Sequence, residues 1–533
     1  MLTRKKILIS VALAALFIRI IFALQFFNSF FAAYHLVPGL DMQTLLRYSE
    51  WSGSDPYPAF FTFHRLVIYL CYLCNRQIHA VWAVFAIQTA VGIAGCTCLT
   101  DIILKFTGKR RAALICGLIS ASYLPFLVYE FSILKETFAV NFALFTFWCM
   151  LNALRKRFNW SSSLLFGFAA FATIEGRLAV MPYLGALALY CAYKMYKRKQ
   201  FCKIFRAALL PLLLLPAASA FNKANGWKFS PFFDIVSYTV SYNTGTPESS
   251  AEAPASSVTT GLLTTVKQAA SRIPAMFKYG ELPENQNIYF WCEKLPLLDY
   301  FPAPGLIIPL AVAGIMIVIF SGSWKKRYGL LLLPLITMVL PLCAREPIGR
   351  YRLMLVPYLF IITASAVVIF FRIKDARMRG AMLFAAAIGV FFSIHNGDVP
   401  QKIRPHDYSA WAMAMENSDQ ANDSEVLAAY FDHWKACNFR SETAFFMFMD
   451  KCLEKGRIDL AAGAAKKAWE EELINPDYIH YYMAWCFALR EDPHNVYSHL
   501  LHVLHPEDLP PDMYQKYTML LNDTHRILTI MEN

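Results

Sequence analysis

Charge is what this sequence has least of. Of its 533 residues only 17% are Asp, Glu, Lys or Arg, against about 25% in soluble domains. Hydrophobic residues make up 57% and aromatics 15%, and the mean hydropathy is +0.38. That deficit excludes an ordinary soluble enzyme and points to an integral membrane protein. The net charge of +12 invites a nucleic-acid-binding reading. The basic residues, however, come in short clusters at the ends of apolar segments, as topology signals do, and not on one phosphate-binding face. A disulfide framework is missing, because the 13 cysteines lie mostly inside apolar stretches, where a thiol behaves as a small hydrophobe. Gly108-Lys109 has no earlier glycine at the spacing of a phosphate-binding loop, and no G-x-S-x-G elbow occurs. His64, Cys71, Cys74 and His79 are metal-ligand types, but apolar residues separate them and ordinary helix packing accounts for the run. No small-residue cleavage site precedes Asn28, so the first apolar run is expected to stay as a span.

What is present is a series of apolar runs of about the length that crosses a bilayer, roughly 17–25 residues. They cover 7–27, 80–104, 112–129, 133–154, 161–174, 178–193, 204–221, 304–320, 328–343, 352–371 and 379–395, which predicts about 11 transmembrane helices. Every second connection is basic: Arg4-Lys5-Lys6, KFTGKRR at 105–111, LRKRF at 154–158, KMYKRKQFCK at 194–203, SWKKRY at 323–328 and FRIKDARMRG at 371–380. That alternation follows the positive-inside rule. It predicts a multi-pass inner or plasma membrane protein with a cytoplasmic N-terminus and a periplasmic or extracellular C-terminus.

The remaining connections carry the acidic residues and are expected to face outward. In VPGLDMQTLLRYSEW (37–51), Met42, Leu45, Leu46 and Trp51 recur at helical spacing, the pattern of an amphipathic helix on the membrane surface. Asp41 opens it, either as a helix N-cap or as a reactive carboxylate; Asp55 follows in GSDPYP, where a turn role is the simpler reading. Lys135 and Glu136 stand at the mouth of the 133–154 span, Glu175 and Arg177 in the IEGR break, and Arg345, Glu346, Arg350 and Arg352 in AREPIGRYR. Each alone could be a snorkelling or ion-paired residue. Together they bring ionisable groups from separate loops to membrane depth, which is costly without a task. Arginines suit a phosphate or pyrophosphate, because the guanidinium fork matches its oxygens in pairs. An anionic headgroup beside a carboxylate able to take a proton implies group transfer from a lipid-linked donor.

The order of these features resembles the GT-C class of polyprenyl-phosphate-sugar-dependent membrane glycosyltransferases, the group of the protein O-mannosyltransferases and the aminoarabinose transferases. The resemblance covers roughly 1–395. Its carriers are GLDMQTLLRYSEW, DPYPAFFTFHRLVIYL, SILKETFAV, IEGRLAVMPYL and, most specific, GRYRLMLVPYLF after a long external loop. The DD or DE pair of the class is absent; Asp41 stands next to Met42. The resemblance implies an all-α polytopic fold, with Asp41 as general base and Arg350 and Arg352 on the donor phosphate. Arg345 and Arg177 would join them there, and Asp55, Lys135, Glu136 and Glu175 would support the pocket. The expected donor is a polyprenyl-phosphate sugar, and the acceptor a glycan, lipid or protein. No cofactor is implied; a divalent ion held by Asp41, Asp55 and Glu136 is compatible with the residue types but not demanded by their spacing. The competing readings are an O-antigen ligase or polymerase, which needs outward arginines but no aspartate after the first span, and a lipid-linked sugar transporter or flippase.

Residues 222–303 form the longest external loop, with a small, polar stretch at 246–261 and an aromatic stretch before 303 expected to pack on the membrane surface; the loop reads either as a lid over the donor site or as a spacer. After His395 the composition turns soluble, predicting a second domain over 396–533. Helices are expected to about Glu454, from Ile458 after a turn at Gly456, and again after Asn475-Pro476. The spacing of about 35 residues is close to the tetratricopeptide period, a domain type that binds a protein partner or polymer. Nothing in it predicts nucleic-acid binding.

Overall fold

In the computed structural model every described regular element is a helix. The structure describes residues 3–50, 58–77, 80–177, 180–211, 213–214, 267, 271–280, 286–302, 304–323, 328–343, 349–395 and 403–532. The chain divides into two compact units, Met1–Asn28 with Gly39–Lys402, and Ser29–Pro38 with Ile403–Asn533.

The first unit is built from α1 (Arg4–Phe27), α2 (Asp41–Glu50), α3 (Pro58–Cys71), α4 (Trp82–Thr107), α5 (Arg110–Ala121), α6 (Leu124–Glu130), α7 (Glu136–Arg155), α8 (Trp160–Gly176) and α9 (Met181–Lys197). After them come α10 (Ile288–Lys294), α11 (Pro304–Phe320), α12 (Gly329–Cys343), α13 (Gly349–Arg352), α14 (Val356–Arg372) and α15 (Ala376–His395). Among the described residues five helical stretches are long and apolar enough to cross a membrane: Arg4–Phe27, Trp82–Thr107, Glu136–Arg155, Pro296–Phe320 and Ala376–His395. The bent pair α5–α6 makes a sixth if counted as one span. The 11 expected spans are not all shown among the described residues: α8, α9, α12 and α14 are helices of 15–17 residues, and part of the 204–221 run lies outside the described residues.

Thr3 opens α1 by accepting the Lys6 N–H on its side chain, a capping contact. The helix then runs for 24 residues, about 36 Å at the usual rise. It lies antiparallel to α4: Arg4 meets Asp101 near the end of α4, while Phe26 meets Phe85 near its start, at 5.3 Å between ring centroids. The bundle therefore has an Arg4 end and a Phe27 end. Arg372, closing α14, donates to Thr107 O at 3.2 Å and belongs to the Arg4 end.

Between the two ends lies a buried ion pair that the sequence reading did not single out. α5 and α6 meet at 47°. Pro125, in the first turn of α6, has no N–H to continue the helix back to Ala121. The carbonyl so released accepts Arg19 Nη1 at 3.1 Å, and Ala15 O accepts the same nitrogen at 3.2 Å. Arg19 Nε and Nη2 each hold one oxygen of Glu130 at 2.6 Å, with side chains only 1% and 3% exposed. Glycine at position 92 leaves the room for this clasp, since a Cβ there would lie 2.0 Å from Glu130 Oε1. The two-pronged contact and the carbonyls satisfy a charge that would be very costly alone in an apolar interior.

The second unit packs α16 (Pro405–Glu416), α17 (Asp423–Ala436), α18 (Glu442–Glu454), α19 (Ile458–Glu470), α20 (Pro476–Ala488), α21 (Pro493–Leu501) and α22 (Pro511–Glu532) as successive hairpins. The α18–α19 turn passes through Gly456 at φ +67°, and Asn475 caps α20 by accepting the Asp477 N–H. Helix positions thus match the sequence reading here, and helical hairpins are what the structure shows. The short helical segment Phe30–Leu36 belongs to this unit, with Phe30 and Phe31 against Trp411 at 5.3 and 4.9 Å. Trp434 is fully buried in its core and donates Nε1–H to Phe439 O.

Candidate functional site

The predicted residues that the structure describes gather at the Phe27 end of the first unit. α2 starts at Asp41, with Met42, Leu45 and Leu46 buried on one face, so the amphipathic helix forms where the spacing put it. Its hydrophobic face packs against protein. Asp41 is the first residue of the helix, not the cap before it. Its carboxylate sits at the favourable end of the helix dipole and accepts Arg350 Nη1 at 2.6 Å, across 309 residues of chain. Both side chains keep access to solvent, 25% for Asp41 and 18% for Arg350.

Arg350 begins a short stack. In α13 the next residue, Tyr351, is buried; the Arg350 guanidinium lies 5.4 Å from its ring and the Arg177 guanidinium 4.3 Å from it. Both distances fall in the cation–π range. Arg177 Nη1 in turn donates to Glu136 Oε1 at 3.2 Å. The second oxygen, Glu136 Oε2, is buried and meets no hydrogen-bond donor among the described residues. Arg177 reaches this place because α8 ends on Gly176, where a Cβ would stand 3.3 Å from Ala139 Cα, so glycine permits the close approach of α8 to α7. Lys135 and Glu175 flank the same place and are buried to 9% and 8% exposure. Arg352 differs from Arg350. It is 1% exposed and donates Nη1 to Lys278 O at 2.7 Å, tying α13 to the 271–280 segment. Arg345 and Asp55 lie outside the described residues.

Backbone between α6 and α7 is fixed from three sides, which sets where Lys135 and Glu136 stand. Gln88 donates its amide to Ser132 O and Leu134 O at 2.9 and 3.0 Å. Met42 Sδ accepts the Ile133 N–H at 3.1 Å, and Thr137 donates to Tyr129 O. Gln286 donates to the same sulfur at 3.7 Å and accepts from Trp291 Nε1 at 3.1 Å. Trp291, expected at the membrane surface, is 1% exposed and stacks on Phe22 and Phe26 at 6.1 and 5.9 Å. The end of the long loop is therefore packed into the bundle; most of the expected lid lies outside the described residues.

The sequence reading missed Tyr351, Gln286, Met42 as a sulfur acceptor, and the Arg19–Glu130 clasp. For Arg19 a signal was available, a lone charge within ALFIRIIFAL. Of the three carboxylates compatible with an ion, Asp41 and Glu136 each hold an arginine, and Asp55 lies outside the described residues.

No family model matches the chain, and no curated protein matches it. Three solved chains do. One is the archaeal oligosaccharyltransferase AglB from Archaeoglobus fulgidus, in complex with an inhibitory peptide and a dolichol-phosphate, at 14% identity and a TM-score of 0.39. The match covers 80% of this chain and 59% of that one, so this chain spans less than two thirds of its length.

Proposed function

We propose that this chain is a membrane glycosyltransferase that moves a sugar from a polyprenyl-phosphate donor to a glycan, lipid or protein acceptor at the outer face of the membrane. The observation that carries the reading is the partly exposed Asp41–Arg350 pair, set beside the Tyr351–Arg177–Glu136 stack. A carboxylate and a guanidinium in contact, both reachable, are the two groups such a transfer needs. The donor phosphate displaces Asp41 from Arg350, because the guanidinium fork binds phosphate oxygens in the same way it binds a carboxylate. Asp41 then takes the proton of the acceptor O–H as its oxygen bonds to the anomeric carbon. The bond from that carbon to the phosphate oxygen breaks, and polyprenyl phosphate leaves with the electron pair, its charge met by Arg350. Arg177 and Tyr351 hold Arg350's surroundings in place, and Arg352 anchors α13 through Lys278. The second unit, external and tetratricopeptide-like in this reading, presents the acceptor or a protein partner.

The test is transfer from radiolabelled polyprenyl-phosphate sugars in membranes, with wild type, Asp41→Asn and Arg350→Ala compared at equal insertion. Labelled product from wild type, lost in both variants, supports the reading. Full activity in Asp41→Asn moves the base elsewhere and favours the ligase alternative. No donor consumed by wild type removes the reading.

A further inference from the structure

At the opposite, Arg4 end of the first unit is a second polar cluster, joined to an apolar groove, that the transfer site does not use. Arg4 holds Asp101 with two bonds, Nε to Oδ1 at 2.7 Å and Nη2 to Oδ2 at 2.9 Å. Lys105 holds the same carboxylate at 2.9 Å, and Trp148 donates Nε1–H to it at 2.7 Å. Asp101 is 4% exposed and fully engaged, whereas Arg4 is 50% exposed. Two cations against one carboxylate leave one net positive charge, and Lys5 and Lys6, exposed on the same first turn, add two more.

From this rim a groove of about 440 Å³ runs between α1, α4 and α7, lined by Leu8, Val91, Ala94, Cys98, Phe142 and Phe145. Trp148 closes the rim, with Lys105 4.9 Å from its ring, an amphipathic residue where an aromatic belt meets headgroups. An apolar slot on a membrane-spanning bundle, ending under a cationic rim with an exposed guanidinium, is complementary to one molecule type. A free anion leaves the slot unfilled, and a zwitterionic lipid brings a second cation to the rim.

We propose that this groove binds an anionic glycerophospholipid of the leaflet at the Arg4 end, with one acyl chain along α4 and α7 and the phosphate on the outward side of the Arg4 guanidinium. The site is separate from the transfer site and does not depend on that reading. Asp101 is the positioning residue: its two bonds fix Arg4 while Nη1 stays on the open side, where a phosphate oxygen meets it.

Native mass spectrometry of the full chain, released from detergent after incubation with phosphatidylglycerol or phosphatidylcholine of identical acyl chains, tests this. The expected result is at least tenfold greater retention of phosphatidylglycerol by wild type. Arg4→Gln should abolish that preference, and Ala94→Trp, which fills the groove and leaves Arg4–Asp101 intact, should remove the retained lipid. Should Arg4→Gln fail to fold, the headgroup comparison on wild type and the Ala94→Trp result decide alone. Equal retention of the two lipids by wild type, or unchanged retention in Ala94→Trp, would overturn the proposal, since either marks ordinary solvating lipid.

Discussion

Two of the Arg–carboxylate pairs in the first unit are built in opposite ways. Arg19–Glu130 is sealed, at 1% and 3% exposure, with both carboxylate oxygens held at 2.6 Å and two backbone carbonyls on the remaining nitrogen. Arg350–Asp41 is partly open, with side chains 18% and 25% exposed, and its contact is also 2.6 Å long. Length of the bond does not distinguish them; access does. A sealed, saturated pair can only hold structure. A pair that a ligand can reach can exchange one partner for it.

The largest effect should follow from breaking the sealed pair. Arg19→Met leaves Glu130 charged and unpaired, at a cost of about 3–5 kcal/mol, enough to lower the unfolding midpoint steeply in a thermal scan of the detergent-solubilised chain. Arg19→Met with Glu130→Leu should recover most of that loss, because an apolar pair of similar volume needs no compensation. If the double variant is as unstable as the single one, the clasp contributes through packing and the contrast with Arg350–Asp41 fails.

Asp41→Asn should do the reverse, costing less than about 1 kcal/mol of stability, as a solvent-reachable pair does, while transfer falls by roughly 10²–10⁴-fold, the range for a general base. Arg350→Ala should lower transfer by about 10²–10³-fold, as loss of one group facing developing charge does. Arg350→Lys should fall between it and wild type, having the charge without the fork. A stability loss in Asp41→Asn as large as that in Arg19→Met would place the open pair with the structural one.

A smaller effect belongs to a contact that carries no charge at neutral pH. His480 and His499 meet Nδ1 to Nδ1 at 2.9 Å in the second unit, which accommodates one proton between them. Burial, then His499 and His502, hold His480 below the ordinary imidazole value of 6.5, and burial, then His502, lowers His499. The folded affinity for a proton is thus below the unfolded one. Stability is unaffected above about pH 6.5 and falls as pH drops through it, because the unfolded chain takes up protons first. Hydrogen exchange over 476–502 in the full chain should show faster opening at pH 5 than at pH 7.5, and His480→Phe should flatten the difference. A pH-independent rate in wild type would contradict this.

The legible parts of this molecule were those with local periodicity or local charge. Met42, Leu45 and Leu46 repeat at helical spacing, so α2 could be read directly, and Gly456 and Asn475-Pro476 marked the breaks of the second unit. Asp41, Arg350, Arg177 and Glu136 were found as unusual charges near span ends, but not as partners, since pairing across 309 residues leaves no sequence signature. The Arg19–Glu130 clasp needed a carbonyl freed by Pro125, a glycine at 92 and a bend of 47°, none of which is visible without the fold. Trp291 reads from composition as a surface aromatic, yet Phe22 and Phe26 give it a buried stack.

The most direct test of the central claim is the affinity of a short-chain polyprenyl phosphate for wild type, Asp41→Asn and Arg350→Ala in the same detergent. If Arg350 is exchanged between Asp41 and the donor, Arg350→Ala should weaken binding at least tenfold, while Asp41→Asn, relieved of the competing carboxylate, should bind as tightly as wild type or more so and yet not turn over. Equal weakening in both variants would contradict the account, because Asp41 and Arg350 would then act together as a fixed structural pair like Arg19 and Glu130.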